Sequence, residues 1–319
     1  MKATPHILVV NGTKVRRPVF ILGSPHSGAE LLARAVKRSA GFHLTMGRPG
    51  VLRVTYAFAR RPSLAAERGR GAARVLRDAY ADAWRISGHG CAECPDDCWR
   101  AAGLRRPPRG GGPEAAGHEG TEPPRCVEPR GVDRFGDASP DLLYSADVLL
   151  DAFPDAQLLQ VIRDGRDVVA DMLADERCLA WFKPGLANLD EVFPNPFLGV
   201  EEDVERTRWP KAAAAVKCAL RWRGSVRLSA RLRAQTPEDQ LLTVRYEDLV
   251  RSPGATADGV SEYLGTQISK LALTNGKREI GAARVGGWRK RLTTRQLAQV
   301  ERVAGAELGR LGYPLSASG

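Results

Sequence analysis

Two stretches of this chain carry residue types whose spacing could do chemistry. The first is GSPHSGAELL at residues 23–32, directly after the apolar run VFIL. Gly23 and Gly28, with four residues between them, have the spacing of a phosphate-cradling loop. A nucleotide-hydrolysing loop continues with lysine and then serine or threonine. Here Ala29 and Glu30 stand at those places, so the lysine and the magnesium ligand are both replaced. The loop chemistry that remains is anion binding by backbone N–H groups and by the N-terminus of the helix that follows. The second stretch is HGCAECPDDCW, which sets Cys91, Cys94 and Cys98 at C-x2-C-x3-C, with Cys126 beyond a Gly/Pro-rich stretch. Three thiols within eight residues plus a distant fourth is the spelling of a structural, four-coordinate zinc site, with His89 as reserve ligand. The competing reading is a set of reduced free thiols. Cys178 and Cys218 lie in helix-like stretches and read as small core residues.

Several elements must position these residues. RPVFILG (17–23) reads as a buried strand, and GAELLARAVKRSA (28–40) has the apolar spacing of an amphipathic helix. Residues 60–88 are rich in Ala and Arg and read as helical. Residues 100–125 are full of Gly, Pro and charge and read as a flexible surface insertion. In ADVLLDAFPDAQLLQVIRDGRDVVADMLA (146–174) a helix ends near Phe153, LLQVI is a strand, and a second helix begins near Gly165. A polar, proline-marked stretch (183–210) precedes a helix over about 211–234. LLTVRYEDL (241–249) is a strand entering a helix, and residues 293–313 form a closing amphipathic helix. Strands alternating with helices predict an α/β fold whose sheet is mostly parallel. We read 1–319 as a single domain, with 89–126 as a zinc-bound subdomain that includes the insertion.

The 319 residues suffice for a sizeable core, and a mean hydropathy of −0.29 with 43% hydrophobic residues marks a globular chain. Forty-eight Lys+Arg against 37 Asp+Glu give a net charge of +11. That balance suits an anionic ligand, nucleic acid or an acidic surface, and alone it does not choose among them. The basic residues are spread along the chain and no nucleic-acid reader motif occurs, which argues against a nucleic-acid partner. No run approaches the length of a membrane span, and the first residues lack a secretory apolar core, so the expected location is the cytoplasm and no membrane partner is expected. A Ser/His/Asp hydrolase is disfavoured by the lack of a G-x-S-x-G elbow.

Three stretches together resemble the PAPS-dependent sulfotransferases, particularly their bacterial branch; PAPS is 3′-phosphoadenosine 5′-phosphosulfate. They are PVFILGSPHSGAELL, FPDAQLLQVIRDGRDVVADM, and LLTVRYEDLVRSP followed by GGWRKRLT and the helix to LGYPL. The resemblance implies a P-loop-like, three-layer fold with a central parallel sheet of about five strands and flanking helices. It implies transfer of a sulfuryl group from PAPS to a hydroxyl or amine of a small-molecule acceptor. Gly23, Ser24, Pro25, His26, Ser27, Gly28, Ala29 and Glu30 would surround the 5′-phosphosulfate. Arg163, Asp171 and Arg284 would lie at the 3′-phosphate. His26 would act as acid, and His43 or Asp137 as base.

Five positions depart from the family pattern. His26 stands for the loop's Arg or Lys, Ala29 and Glu30 for two threonines, Asp171 for a serine, and Ala138 for a lysine. Nearby phosphate would raise the pKa of His26 and favour its cationic form. Glu30 would repel the ligand unless it pairs with a cation such as Arg34 at i+4. A repurposed fold that no longer uses PAPS is therefore the alternative reading. It would perform another transfer or serve as a noncatalytic binding protein. The acceptor would be lined by 44–60 and 180–210, and oligomeric state has no sequence signature here.

Overall fold

The computed structural model describes residues 7–61, 69–88, 91, 94–105, 125–280 and 285–316. Most of the expected insertion (106–124) lies outside these residues, as do His89 and Arg284. A small antiparallel hairpin, β1 (Val9–Val10) with β2 (Thr13–Lys14), precedes the main sheet. That sheet has five parallel strands: β3 (Val19–Gly23), β4 (Phe42–Thr45), β5 (Arg134–Asp137), β6 (Gln157–Ile162) and β7 (Leu241–Arg245). Their order is β4-β5-β3-β6-β7. The α/β class and the five-stranded parallel sheet expected from the resemblance are both present.

β3 is the central strand because its sequence tolerates burial on both faces: Val19, Phe20, Ile21 and Leu22 are at most 1% exposed. Each such side chain removed from water contributes roughly 1.5–3 kcal/mol of transfer free energy. β3 leads into helix α1 (Ala29–Lys37), whose Leu31, Leu32, Ala35 and Val36 face the core. The chain then moves outward to β4, while β5 and β6 flank β3 on opposite sides. The connections thus diverge at the carboxyl end of β3, the place where open α/β sheets bind ligands.

The expected helical region 60–88 holds α3 (Gly69–Ala83) among the described residues, and α2 (Pro49–Arg60) precedes it, ending at the region's first residue. Tyr80 of α3 and the following Trp84 pack over Phe20, with ring centroids 5.1 and 6.2 Å away. Further on come α4 (Asp96–Ala101), α5 (Ala146–Ala152), α6 (Gly165–Met172) and α7 (Glu176–Ala180). The remaining major helices are α8 (Ala214–Gln235), α9 (Tyr246–Arg251), α10 (Pro253–Leu264), α11 (Lys270–Ile280) and α12 (Thr294–Arg310). α1 packs against α11, and α8 against both α6 and α12. The four clustered cysteines belong to the same hydrophobic core as β3 and α1. No helix among the described residues is long and apolar enough to cross a membrane.

Candidate functional site

The loop between β3 and α1 turns tightly. The Ser27 amide donates to the Ser24 carbonyl at 3.0 Å, and both His26 (φ 62°) and Gly28 (φ 90°) are left-handed. Gly28 is required twice over. Its φ disfavours a side chain, and a Cβ there would lie 2.1 Å from the ring of Tyr246. Ser27 is 1% exposed and its hydroxyl has no hydrogen-bond partner among the described residues. A buried, unpartnered hydroxyl beside a helix N-terminus is the feature a bound anion would satisfy.

Arg163, directly after β6, closes one side of the loop. Its Nη1 donates to the His26 carbonyl at 2.8 Å and to Asp171 Oδ2 at 2.7 Å, and its guanidinium lies 4.5 Å over the Tyr246 ring. Asp171, in the last turn of α6, also accepts from Arg291 Nη1 at 2.5 Å. Burial pushes the Asp171 carboxyl up, but Arg163 and Arg291 outweigh it and hold the group below its ordinary range. Two carboxylates close in sequence, Asp164 and Asp167, have other partners. Asp164 caps α6 and pairs with Arg166, while Asp167 accepts from the amides of Gly286 and Trp288 at 2.7 and 2.8 Å. Asp167 thereby fastens the GGW segment to α6.

The His26 ring meets Asp175 and Cys178. Its Nε2 lies 3.2 Å from Asp175 Oδ2 and 3.6 Å from Cys178 Sγ. Burial lowers the His26 pKa, and Asp171 and Asp175 offset this only in part. The free protein therefore holds His26 mostly neutral at pH 7, the reverse of the charge expected beside a phosphate. Glu30 behaves as the i+4 argument requires: its carboxylate pairs with Arg34 at 2.5 Å and is half exposed.

Asp137 and His43 sit on strands farther along the sheet. Asp137 is fully buried at the end of β5, accepting from Thr45 Oγ1 at 2.6 Å and from the Ser139 amide at 2.8 Å. Burial raises its carboxyl to about 6, against the lowering effect of those hydrogen bonds. His43, on β4, is brought together with Lys37, Cys98 and Arg48 and not with the loop. Burial and Lys37 push it down to about 3.

Sequence reasoning missed Asp175, Arg291 and Tyr246 as neighbours of the loop, and took Cys178 for an ordinary core residue. Arg291 and Tyr246 had a signal, their places in the quoted GGWRKRLT and LLTVRYEDLVRSP stretches. The regions expected to line an acceptor do meet: Tyr56 lies 5.1 Å from Trp181, and Trp181 5.3 Å from Phe197. Tyr56 also interacts with buried Asp141, which Arg221 holds at 2.8 and 2.9 Å. A cavity of about 520 Å³ lined by Glu191, Phe193 and Arg231 shares no residue with the loop.

No curated protein matches the sequence. Among solved structures, the sulfotransferase domain of the Synechococcus PCC 7002 olefin synthase is similar at 18% identity, covering 95% of this chain and 97% of that one, with a TM-score of 0.49. Sulfotransferase STF1 from Mycobacterium tuberculosis H37Rv is 16% identical over 91% of this chain and 77% of that one, with a TM-score of 0.42. A sulfotransferase from Alicyclobacillus acidocaldarius is 15% identical over 91% and 97%, with a TM-score of 0.40. Residues 18–270 match the sequence model of the Sulfotransferase family, a span that runs from β3 through the loop, Arg163 and Tyr246 into α11. The chain belongs to the sulfotransferase family.

Proposed function

We propose that this chain moves a sulfuryl group from PAPS to a hydroxyl or amine on a small-molecule acceptor. The observation that carries the reading is the loop itself: a left-handed glycine, the N-terminus of α1, and a buried Ser27 hydroxyl lacking a partner among the described residues. These groups fit the 5′ end of the donor. PAPS, when bound, supplies a sulfuryl group already activated on a phosphate. Ser27 and the loop backbone would hold the 5′-phosphosulfate, and Arg163 the 3′-phosphate. Arg284 keeps its proposed place beside Arg163, although it lies outside the described residues. Asp175 would orient His26, and a protonated His26 would steady the departing oxygen. For the base we favour Asp137 over His43, because its carboxyl stands at the carboxyl end of β5, next to β3. Tyr56, Trp181 and Phe197 would form the apolar wall against which the acceptor rests. The four clustered cysteines would hold a structural zinc ion with no part in the transfer. A cytoplasmic location goes with this reading.

One observation favours a second reading. Asp171 already gives Arg163 and Arg291 a carboxylate, so the 3′ side carries its own anion. A sulfotransferase fold put to another use would look like this. Calorimetric titration with 3′-phosphoadenosine 5′-phosphate separates the two. Micromolar binding that is lost in Arg163→Ala supports the PAPS reading. No binding at millimolar ligand overturns it in favour of the second.

A further inference from the structure

Cys91, Cys94, Cys98 and Cys126 come from two segments separated by the expected insertion, yet their sulfurs meet. Cys91 Sγ lies 3.8 Å from Cys126 Sγ. Cys98 is in hydrogen-bonding contact with both Cys94 and Cys126, so all four sulfurs form one connected group. All four residues are buried, Cys98 completely. The Cys91–Cys126 separation is too long for a disulfide, whose sulfurs stand about 2.05 Å apart. It matches the roughly 3.8 Å that two sulfurs keep on one zinc ion with Zn–S bonds of about 2.3 Å.

The surroundings supply a second, independent observation. Two cations are buried against these sulfurs. Lys37, 8% exposed, donates from Nζ to the Leu44 carbonyl at 2.6 Å and to Cys98. Arg48, 6% exposed, donates from Nη1 to Cys94 Sγ at 3.3 Å. Lys37 forms no ion pair with a carboxylate among the described residues. Burying such charges beside neutral thiols would be costly. Beside thiolates the account changes. Four thiolates and one divalent zinc carry a net charge of −2, and Lys37 with Arg48 supply +2. His43, 3% exposed, lies in the same cluster, and both of its ring nitrogens lack hydrogen-bond partners among the described residues.

We infer that Cys91, Cys94, Cys98 and Cys126 hold a single zinc ion as a tetrathiolate centre, and that Lys37 and Arg48 are its charge-balancing neighbours. This deepens the zinc reading of the cysteines and is independent of the donor. The centre would be structural, because four protein ligands leave no open position. It would tie the cysteine segment to the end of α1, to β4, and, through Arg48, to the start of α2. Arg38, next to Lys37, adds to the tie by donating to the carbonyls of Ala101 and Arg100 at the end of α4, at 2.8 and 2.9 Å.

The test uses the full chain, purified under reducing conditions, with zinc itself as probe. Elemental analysis should find one zinc ion per chain. Replacement by Co²⁺ should give the intense visible bands of tetrahedral thiolate coordination. Absence of both overturns the metal site. Chelator competition then tests the neighbours in variants that keep every ligand. Lys37→Met and Arg48→Met should each bind zinc about 10- to 100-fold more weakly, as loss of an outer-sphere partner does, and Lys37→Arg should recover most of that loss. Unchanged zinc affinity in both Met variants, with the cobalt spectrum intact, overturns the charge-balancing role and leaves the metal site standing.

Discussion

Helix α1 meets a charged site at each end, and the two ends are built in opposite ways. At its N-terminus the loop is the proposed anion site, His26 is partly exposed, and the Ser27 hydroxyl lacks a partner among the described residues. At its C-terminus Lys37 is buried against sulfur, and Arg38 caps another helix. The first end can respond to a ligand because its backbone is held in place while the Ser27 hydroxyl still lacks a partner among the described residues. The second is embedded in the same core as β3 and cannot change without disturbing it. Ligand affinity should therefore depend on the first end and stability on the second.

The largest expected effect falls on the second end. Cys98→Ser should cost about 4 kcal/mol or more of stability in denaturant titration, the range reached when a metal site is lost. A cost under about 1 kcal/mol would mean the cysteines are simply core. At the first end, Arg163→Ala should weaken binding of 3′-phosphoadenosine 5′-phosphate by at least about 100-fold, near 2.7 kcal/mol. It also takes one of two arginines from the buried Asp171, so a stability measurement should accompany it.

The reverse experiment sharpens the contrast. Asp171→Ser removes a carboxylate from the presumed phosphate side and should tighten that nucleotide by about tenfold, one unit of charge-linked shift. Weaker binding would show that Asp171 positions Arg163 instead of competing for it. A smaller effect concerns pH. Burial lowers the His26 pKa, so its protonated form is lost as pH rises through a value below 6.5. If the cation is needed, kcat/KM should fall across that window. Asp175→Asn removes a charge that raises the pKa and should move the fall to lower pH, while His26→Lys should abolish it. Smallest of all, Glu30→Ala should change stability by no more than about 0.5 kcal/mol, as expected of a half-exposed i,i+4 pair.

Much of this fold was legible because its signals are local. An apolar run ended by glycine marked β3, and helical spacing marked α1. The Glu30–Arg34 pair followed from position alone. What escaped depends on tertiary approach. β4 and β5 are four residues each, too short for their alternation to stand out beside longer strands. Asp175 reaches His26 across 149 positions of sequence, and Arg291 reaches Asp171 across 120. The resemblance offered His43 as a base, but its neighbourhood is set by Lys37 and Arg48, whose burial shows only in three dimensions. The burial that lowers the His26 pKa was likewise invisible, since desolvation depends on what folds around a group.

The approach of Gly28 to Tyr246 has an evolutionary consequence. The same aromatic ring carries the Arg163 guanidinium on its surface, so two distant motifs share one wall. A methyl group at Gly28 would press on the ring and, through it, on the arginine. Substitutions at these three positions should then be strongly epistatic: a change tolerated with a smaller residue at Tyr246 would be rejected with the tyrosine present. Descendants of this chain would be expected to replace the trio together or keep it intact.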